Sequence, residues 1–197
     1  MKNIGFSDLE NLKGSHAPKS LALWLVDRVD TKKGTLLVCG EHIDIRKSVK
    51  RVINLPSGDI KVPHPILGRA KAKIPKHSDH GRGQTAKEAT KDLLAENEDE
   101  ASFCQSFMML VLCIYLAPTT SLNINRGYYP ALSDISVISM MDWCGFIANY
   151  LIKDIDKFRS SKASHVQVPG CVHILLVRIH YFPLTYCNVV HNIVHMC

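Results

Sequence analysis

Three apolar stripes at helical spacing follow one another in the C-terminal half of the chain, and they constrain the fold more than any other feature. Phe103, Phe107, Leu110, Val111 and Ile114 mark the first stripe, which Pro118 ends. Glu98, Asp99 and Glu100 stand at its start, where a helix dipole is positive. The second stripe is Trp143, Phe146, Ile147, Tyr150, Leu151, Ile155 and Phe158, with Lys157 and Arg159 at the negative end. Ser139-x-x-Asp142 has capping-box spacing and predicts that this helix starts near Ser139. Val172, Leu175, Leu176, Ile179 and Phe182 form the third stripe, stopped by Pro183. Between the first two, Asn123 to Pro130 reads as a turn-rich connection. Each stripe must bury its apolar side against another element, so three in succession predict a helical core over residues 101–182. Trp24, Leu55, Phe107, Trp143, Phe146 and Phe158 are the expected packing anchors.

The N-terminal part carries a different pattern. Leu21, Trp24, Leu25 and Val29 fall at helical spacing after Pro18 and Ser20, which suit a helix start, and Gly34 stops the pattern. Two β-prone runs between Thr35 and Ile45 flank Cys39-Gly40-Glu41 and predict a small hairpin. Val49, Val52, Ile53 and Leu55 then give a short helix closed by Pro56. Residues 1–60 thus read as a helix–hairpin–helix subdomain, and the fold class is mainly α with a small N-terminal β-hairpin.

Charge separates these parts. Residues 61–91 carry 8 basic and 2 acidic groups, while residues 92–100 carry 0 and 5. Gly, Pro, Lys and His dominate from Lys61 to Gly83, so residues 61–100 read as a charged linker or insertion. Thr85 to Leu94 has the makings of a short helix within it. Residues 183–197 form a tail of their own. Across all 197 residues, 46% are apolar and 21% charged, which excludes a wholly disordered or collagen-like chain.

The first ten residues hold no apolar run and carry acids early, so they do not read as a secretory signal. Seven cysteines, none at C-x-x-C spacing, and no Asn-x-Ser/Thr acceptor favour a reducing, intracellular setting with free, mostly buried thiols, nuclear or cytoplasmic. Phe103 to Ala117 is too short to span a bilayer. Cys171 to Val190 is long enough but holds His173, Arg178, His180 and Pro183, so no membrane partner is expected.

Leu37-Val-Cys-Gly-x-x-Ile-x-Ile followed by Val49-x-Arg-Val-Ile-x-Leu-Pro-x-Gly58 resembles the start of the plant mobile domain. The resemblance is closer to its grass relatives, which often precede a ubiquitin-like-protein (SUMO-type) protease domain. Asp99-Glu-x-Ser-Phe-Cys-x-Ser-Phe107 leads to Ala117-Pro-Thr-Thr-Ser-Leu122, and Tyr129-Pro-Ala-Leu-x-Asp-Ile135 leads to Asp142-Trp-x-x-Phe146 and Gly170-Cys-x-x-x-Leu175. These blocks run in the same order over residues 4–182. The resemblance implies a helical, transposon-derived, nuclear module without catalytic residues of its own. The associated protease would need a His, an Asp and a Cys in a separate domain. Two alternatives stay open: a truncated N-terminal part of a SUMO-protease-like cysteine peptidase, or a decaying transposon product without activity.

No catalytic or cofactor signature emerges from the residues themselves, and no small-molecule substrate is evident, so a non-enzymatic role in protein or nucleic-acid association is expected. Asp142-Trp-Cys-Gly145 has the look of a thioredoxin turn, but Ile147 stands where the second cysteine would be. Cys104, Cys113, Cys144 and Cys171 lie within apolar stripes, where a thiol acts as a small hydrophobe. Cys187, His191, His195 and Cys197 form C-x3-H-x3-H-x-C, a candidate metal set whose first three members share a helical face. Lys71, Lys73, Lys76 and Arg82, within the basic stretch 61–91, are candidate nucleic-acid contacts. No aromatic residue interleaves with them, so base stacking is not expected. Set against both candidates are an incidental His/Cys-rich terminus and a solvated linker whose charge the following acids offset.

Overall fold

The computed structural model describes residues 5–6, 18–63, 85–87, 90–91, 100–118, 125–161 and 171–180. The protein is mainly α-helical with one small antiparallel sheet, as the periodicity predicts. Two compact units interleave along the chain: Met1–Gly5 with Pro56–Trp143, and Phe6–Leu55 with Cys144–Cys197.

The second unit begins its described structure with α1 (Lys19–Asp27), followed by β1 (Val29–Asp30), β2 (Thr35–Val38), β3 (Glu41–Asp44) and α2 (Ile45–Ile53). The strands pair antiparallel in the order β1-β2-β3. The hairpin prediction therefore holds and gains a strand, because Val29 belongs to β1 and not to the first helix. Asp30 makes that turn: its Oδ1 accepts from the backbone N–H groups of Lys32 and Lys33, both at 3.0 Å. Gly34, at φ +66°, closes it by donating to Asp30 O at 2.8 Å. Between β2 and β3, Cys39 and Gly40 have φ of 52° and 84°. Two consecutive left-handed residues are the mark of a type I′ turn, whose twist matches the strands it joins. Leu36 faces Ile43 across the ladder and both are buried, whereas Leu37 points outward.

α2 starts at Ile45, one turn earlier than predicted, because Asp44 caps it. The Asp44 carboxylate accepts from Lys47 N at 2.8 Å, the usual N-cap bond. Asn54, left-handed at φ 53°, ends the helix, with its N–H on Lys50 O at 2.9 Å. Leu55 follows the cap and is fully buried. The rest of the unit comes from α6 (Trp143–Ser160) beyond its first residue, and from α7 (Val172–His180). Both α1 and α2 pack on α7. From α6, Thr31 donates to the Asp156 carboxylate at 2.9 Å, and the Arg159 guanidinium donates to Val26 O in the last turn of α1. The core here is Phe6, Leu25, Leu36, Ile45, Val49, Ile53, Ile147, Leu151, Ile155, Ile174 and Leu175.

In the first unit, α3 (Glu100–Val111) runs into a π turn over Leu112–Leu116, closed by Ala117 N on Leu112 O at 2.7 Å. The buried side of this helix is Cys104, Met108, Met109, Leu112, Cys113 and Leu116. That corrects the predicted stripe: Phe103, Phe107, Leu110 and Val111 are half-buried and Ile114 is exposed. The helix is apolar nearly all round, so periodicity had no polar face to orient it. A 3-10 turn (Arg126–Tyr128) and α4 (Tyr129–Leu132) occupy the stretch expected to be turns, and α5 (Ile135–Ile138) follows.

Ser139-x-x-Asp142 is not a capping box. Ser139 is the C-cap of α5, while Asp142 pairs with Ser57 in a bridge, and α6 begins at Trp143. Backbone bonds from Gly58 N to Met141 O at 3.2 Å and from Asp142 N to Ile60 O at 2.7 Å complete that pairing. Of the expected anchors, Leu55 and Trp143 are fully buried; Trp24, Phe107, Phe146 and Phe158 are half-buried. Ala86, Lys87, Thr90 and Lys91 are helical, in the expected short helix.

Candidate functional site

The candidate metal set, Cys187, His191, His195 and Cys197, lies outside the described residues, as do Lys71, Lys73, Lys76 and Arg82. From the basic stretch the structure describes Lys61, Lys87 and Lys91, all exposed. Among the described residues no three His, Cys, Asp or Glu side chains come together as a metal site. No described helix is long and apolar enough to cross a membrane.

The thiols sort by environment. Cys104, Cys113, Cys144 and Cys171 are free and buried. Burial pushes the Cys113 thiol up from its ordinary range, partly offset by the Asn125 N–H that donates to its sulfur at 3.2 Å. Burial alone pushes Cys171 far up. Cys144 donates to Leu55 O at 3.2 Å, so the Trp-Cys-Gly segment serves packing. Cys113 and Cys171, whose thiols burial keeps protonated, are poor nucleophiles. Cys39 is disulfide-bonded, which corrects the expectation of free thiols for that residue.

The described surface feature that the sequence reading passed over is α2. Ile45, Ser48, Val49 and Ile53 are buried, and Arg46, Lys47, Lys50 and Arg51 are exposed. At 100° per residue the four cations cover an arc of about 140°, facing away from the buried side. No acid lies within the helix; the cap Asp44 sits at one end, its carboxylate held by Lys47 N. Lys50 Nζ donates to Leu55 O at 2.8 Å, which fixes the chain without neutralising it. Among the described residues, Lys47 and Arg51 have no carboxylate within ion-pair distance; the ion pair present is Lys33–Asp30 at 3.9 Å.

α7, packed against α2, carries the half-buried Arg178 near enough to Arg51 to feel its charge. Its guanidinium is held below its ordinary range by partial burial and then by the charge of Arg51. The signal was legible in Arg46-Lys-Ser-Val-Lys-Arg51, whose basic residues repeat at i, i+1, i+4 and i+5. The denser basic stretch downstream obscured it.

No curated protein and no solved structure matches the chain. A family model described as "Domain of unknown function (DUF8566)" matches residues 1–176, and the chain belongs to that family.

Proposed function

We propose that this protein is a non-enzymatic association module that binds a nucleic-acid or protein partner in the nucleus. The observation that carries the reading is the division of labour between inside and outside. The described thiols with reactive potential are buried packing groups, while a whole helical face, that of α2, offers charge to solvent. The ordered blocks over residues 4–182 that resemble the plant mobile domain support the same reading, since the resemblance implies a module without its own catalytic residues. The test is fluorescence anisotropy of the full chain with two labelled polyanions, duplex DNA and poly-glutamate, together with imaging of a fluorescent fusion. Saturable, salt-sensitive binding to either probe with nuclear enrichment is the expected result. Binding to neither at low salt would overturn the association reading, and a fusion confined to the cytoplasm would overturn its nuclear setting.

A further inference from the structure

We infer that the outer face of α2 is a binding site for the phosphate backbone of duplex nucleic acid. The inference rests on the association reading and gives it a place and a ligand chemistry, separate from the basic stretch 61–91.

Charge complementarity comes first. Arg46, Lys47, Lys50 and Arg51 are exposed on one side of a nine-residue helix, and Lys47 and Arg51 have no carboxylate partner among the described residues. The helix is held rigidly, by Asp44 at one cap, Asn54 at the other, and α7 beneath it. Its cations are therefore presented in fixed register.

The chemistry of the face selects among anions. No aromatic or exposed apolar residue stands between the cations: Ser48 and Val49 are buried and Val52 is half-buried. An acidic protein partner would be expected to seat an aromatic or aliphatic anchor, and a membrane surface would be held more firmly by apolar side chains that insert, neither of which this face offers. A single strand would ask for stacking platforms. What remains is a surface that neutralises phosphates and reads no bases, with arginines whose planar forks suit phosphate oxygens.

The experiment uses the full chain and a duplex of about 20 base pairs, titrated between about 50 and about 200 mM salt. Four phosphate contacts predict a fall in affinity of about two orders of magnitude over that range. The double variant Lys47→Gln/Arg51→Gln should bind at least about tenfold more weakly, with the slope of log affinity against log salt shallower by about two. The charge-keeping double variant Lys47→Arg/Arg51→Lys should restore binding, which separates loss of charge from loss of fold. Neutralising Lys71, Lys73, Lys76 and Arg82 should leave most of the affinity.

If the double glutamine variant binds as the unaltered protein does, the site is not on α2 and the inference fails, while the association reading stands. If the chain binds poly-glutamate and not the duplex, the ligand class is wrong and the inference fails in the same way. If it binds neither, both fail together.

Discussion

Trp143 spends both of its nitrogens on backbone carbonyls. Its main-chain N–H is shared between Pro56 O at 3.1 Å and Met141 O at 3.0 Å, and its indole Nε1 donates to Ile138 O at 2.8 Å. The ring is fully buried. It is thus both the largest filler of its unit's core and a hydrogen-bonding clasp between α5 and the start of α6. Replacing it by alanine should cost about 3–5 kcal/mol, enough to leave a marginally stable domain largely unfolded. Trp143→Phe should cost far less, about 1 kcal/mol, because Met141 N also donates to Ile138 O at 3.3 Å and keeps that carbonyl satisfied. Urea melts of the two variants separate the roles: equal losses would mean that the indole N–H matters as much as the ring. Trp143 was legible in the sequence as an anchor, because a Trp on a helical stripe is seldom anything else. Its polar bonds were not, since they depend on carbonyls three elements meet to supply.

At the scale of elements, the pairing of Ser57–Ile60 with Met141–Asp142 is the place where one missing atom decides the geometry. A Cβ added to Gly58 would lie 1.9 Å from Met140 O, and backbone cannot yield as a side chain can. That carbonyl already accepts from Ile60 N at 3.1 Å. Gly58→Ala should therefore open the bridge and cost about 1–3 kcal/mol or more, visible as a lowered thermal midpoint. Retention of the midpoint would show that the two bridged segments can separate freely.

α7 supplies a second element-scale prediction, in pH. Burial holds the His173 imidazole below its ordinary value of 6.5, so the fold prefers it neutral. As pH falls through 6.5 the unfolded chain takes up that proton before the folded one does. Stability is therefore present above that pH and lost below it. Asp30 and Asp134 are also shifted downward, by bonds from Lys33 N and from the Ser136 hydroxyl respectively, but from 3.8, so their losses come only in stronger acid. Between pH 7 and 5 the midpoint should drop, and His173→Gln should flatten the drop. An unchanged slope in that variant would place the sensitivity elsewhere.

Elements also show where the sequence could be read and where it could not. Short backbone signals were dependable: Pro18, Cys39-Gly40 and Pro118 sit at a helix start, a hairpin turn and a helix end. Asp142 misled, because a carboxylate three residues after a serine looks like a capping box until a bridge from Ser57 claims it. The orientation of α3 was illegible for a plainer reason. Its mean composition is so apolar that every face is a candidate, and only the residues packed on it choose Met108 and Leu112 over Phe107 and Val111. α2 was the reverse case, with its buried and charged sides written plainly in Ile45 to Ile53. Its basic side stands out less in the sequence than the denser charge downstream, although a helix presents its charges to a ligand in fixed register.

For the molecule as a whole, the interleaving of its units carries the last lesson. The second unit loses the chain after Leu55 and regains it at Cys144, and those two residues are joined by a hydrogen bond of 3.2 Å. The first unit has the same arrangement at its own ends, where Pro56 O meets Trp143 N at 3.1 Å. Each unit is therefore nearly closed on itself at the crossing point, as a loop of string is closed at a knot. Consecutive Cα atoms lie about 3.8 Å apart, so a bridge of a few residues would suffice to rejoin residues 55 and 144. The chain is written as a parenthesis, and the text outside the brackets should still parse: a splice from Leu55 to Cys144 should give a cooperatively melting protein that keeps the α2 face, open to permutation and to grafting in other hosts.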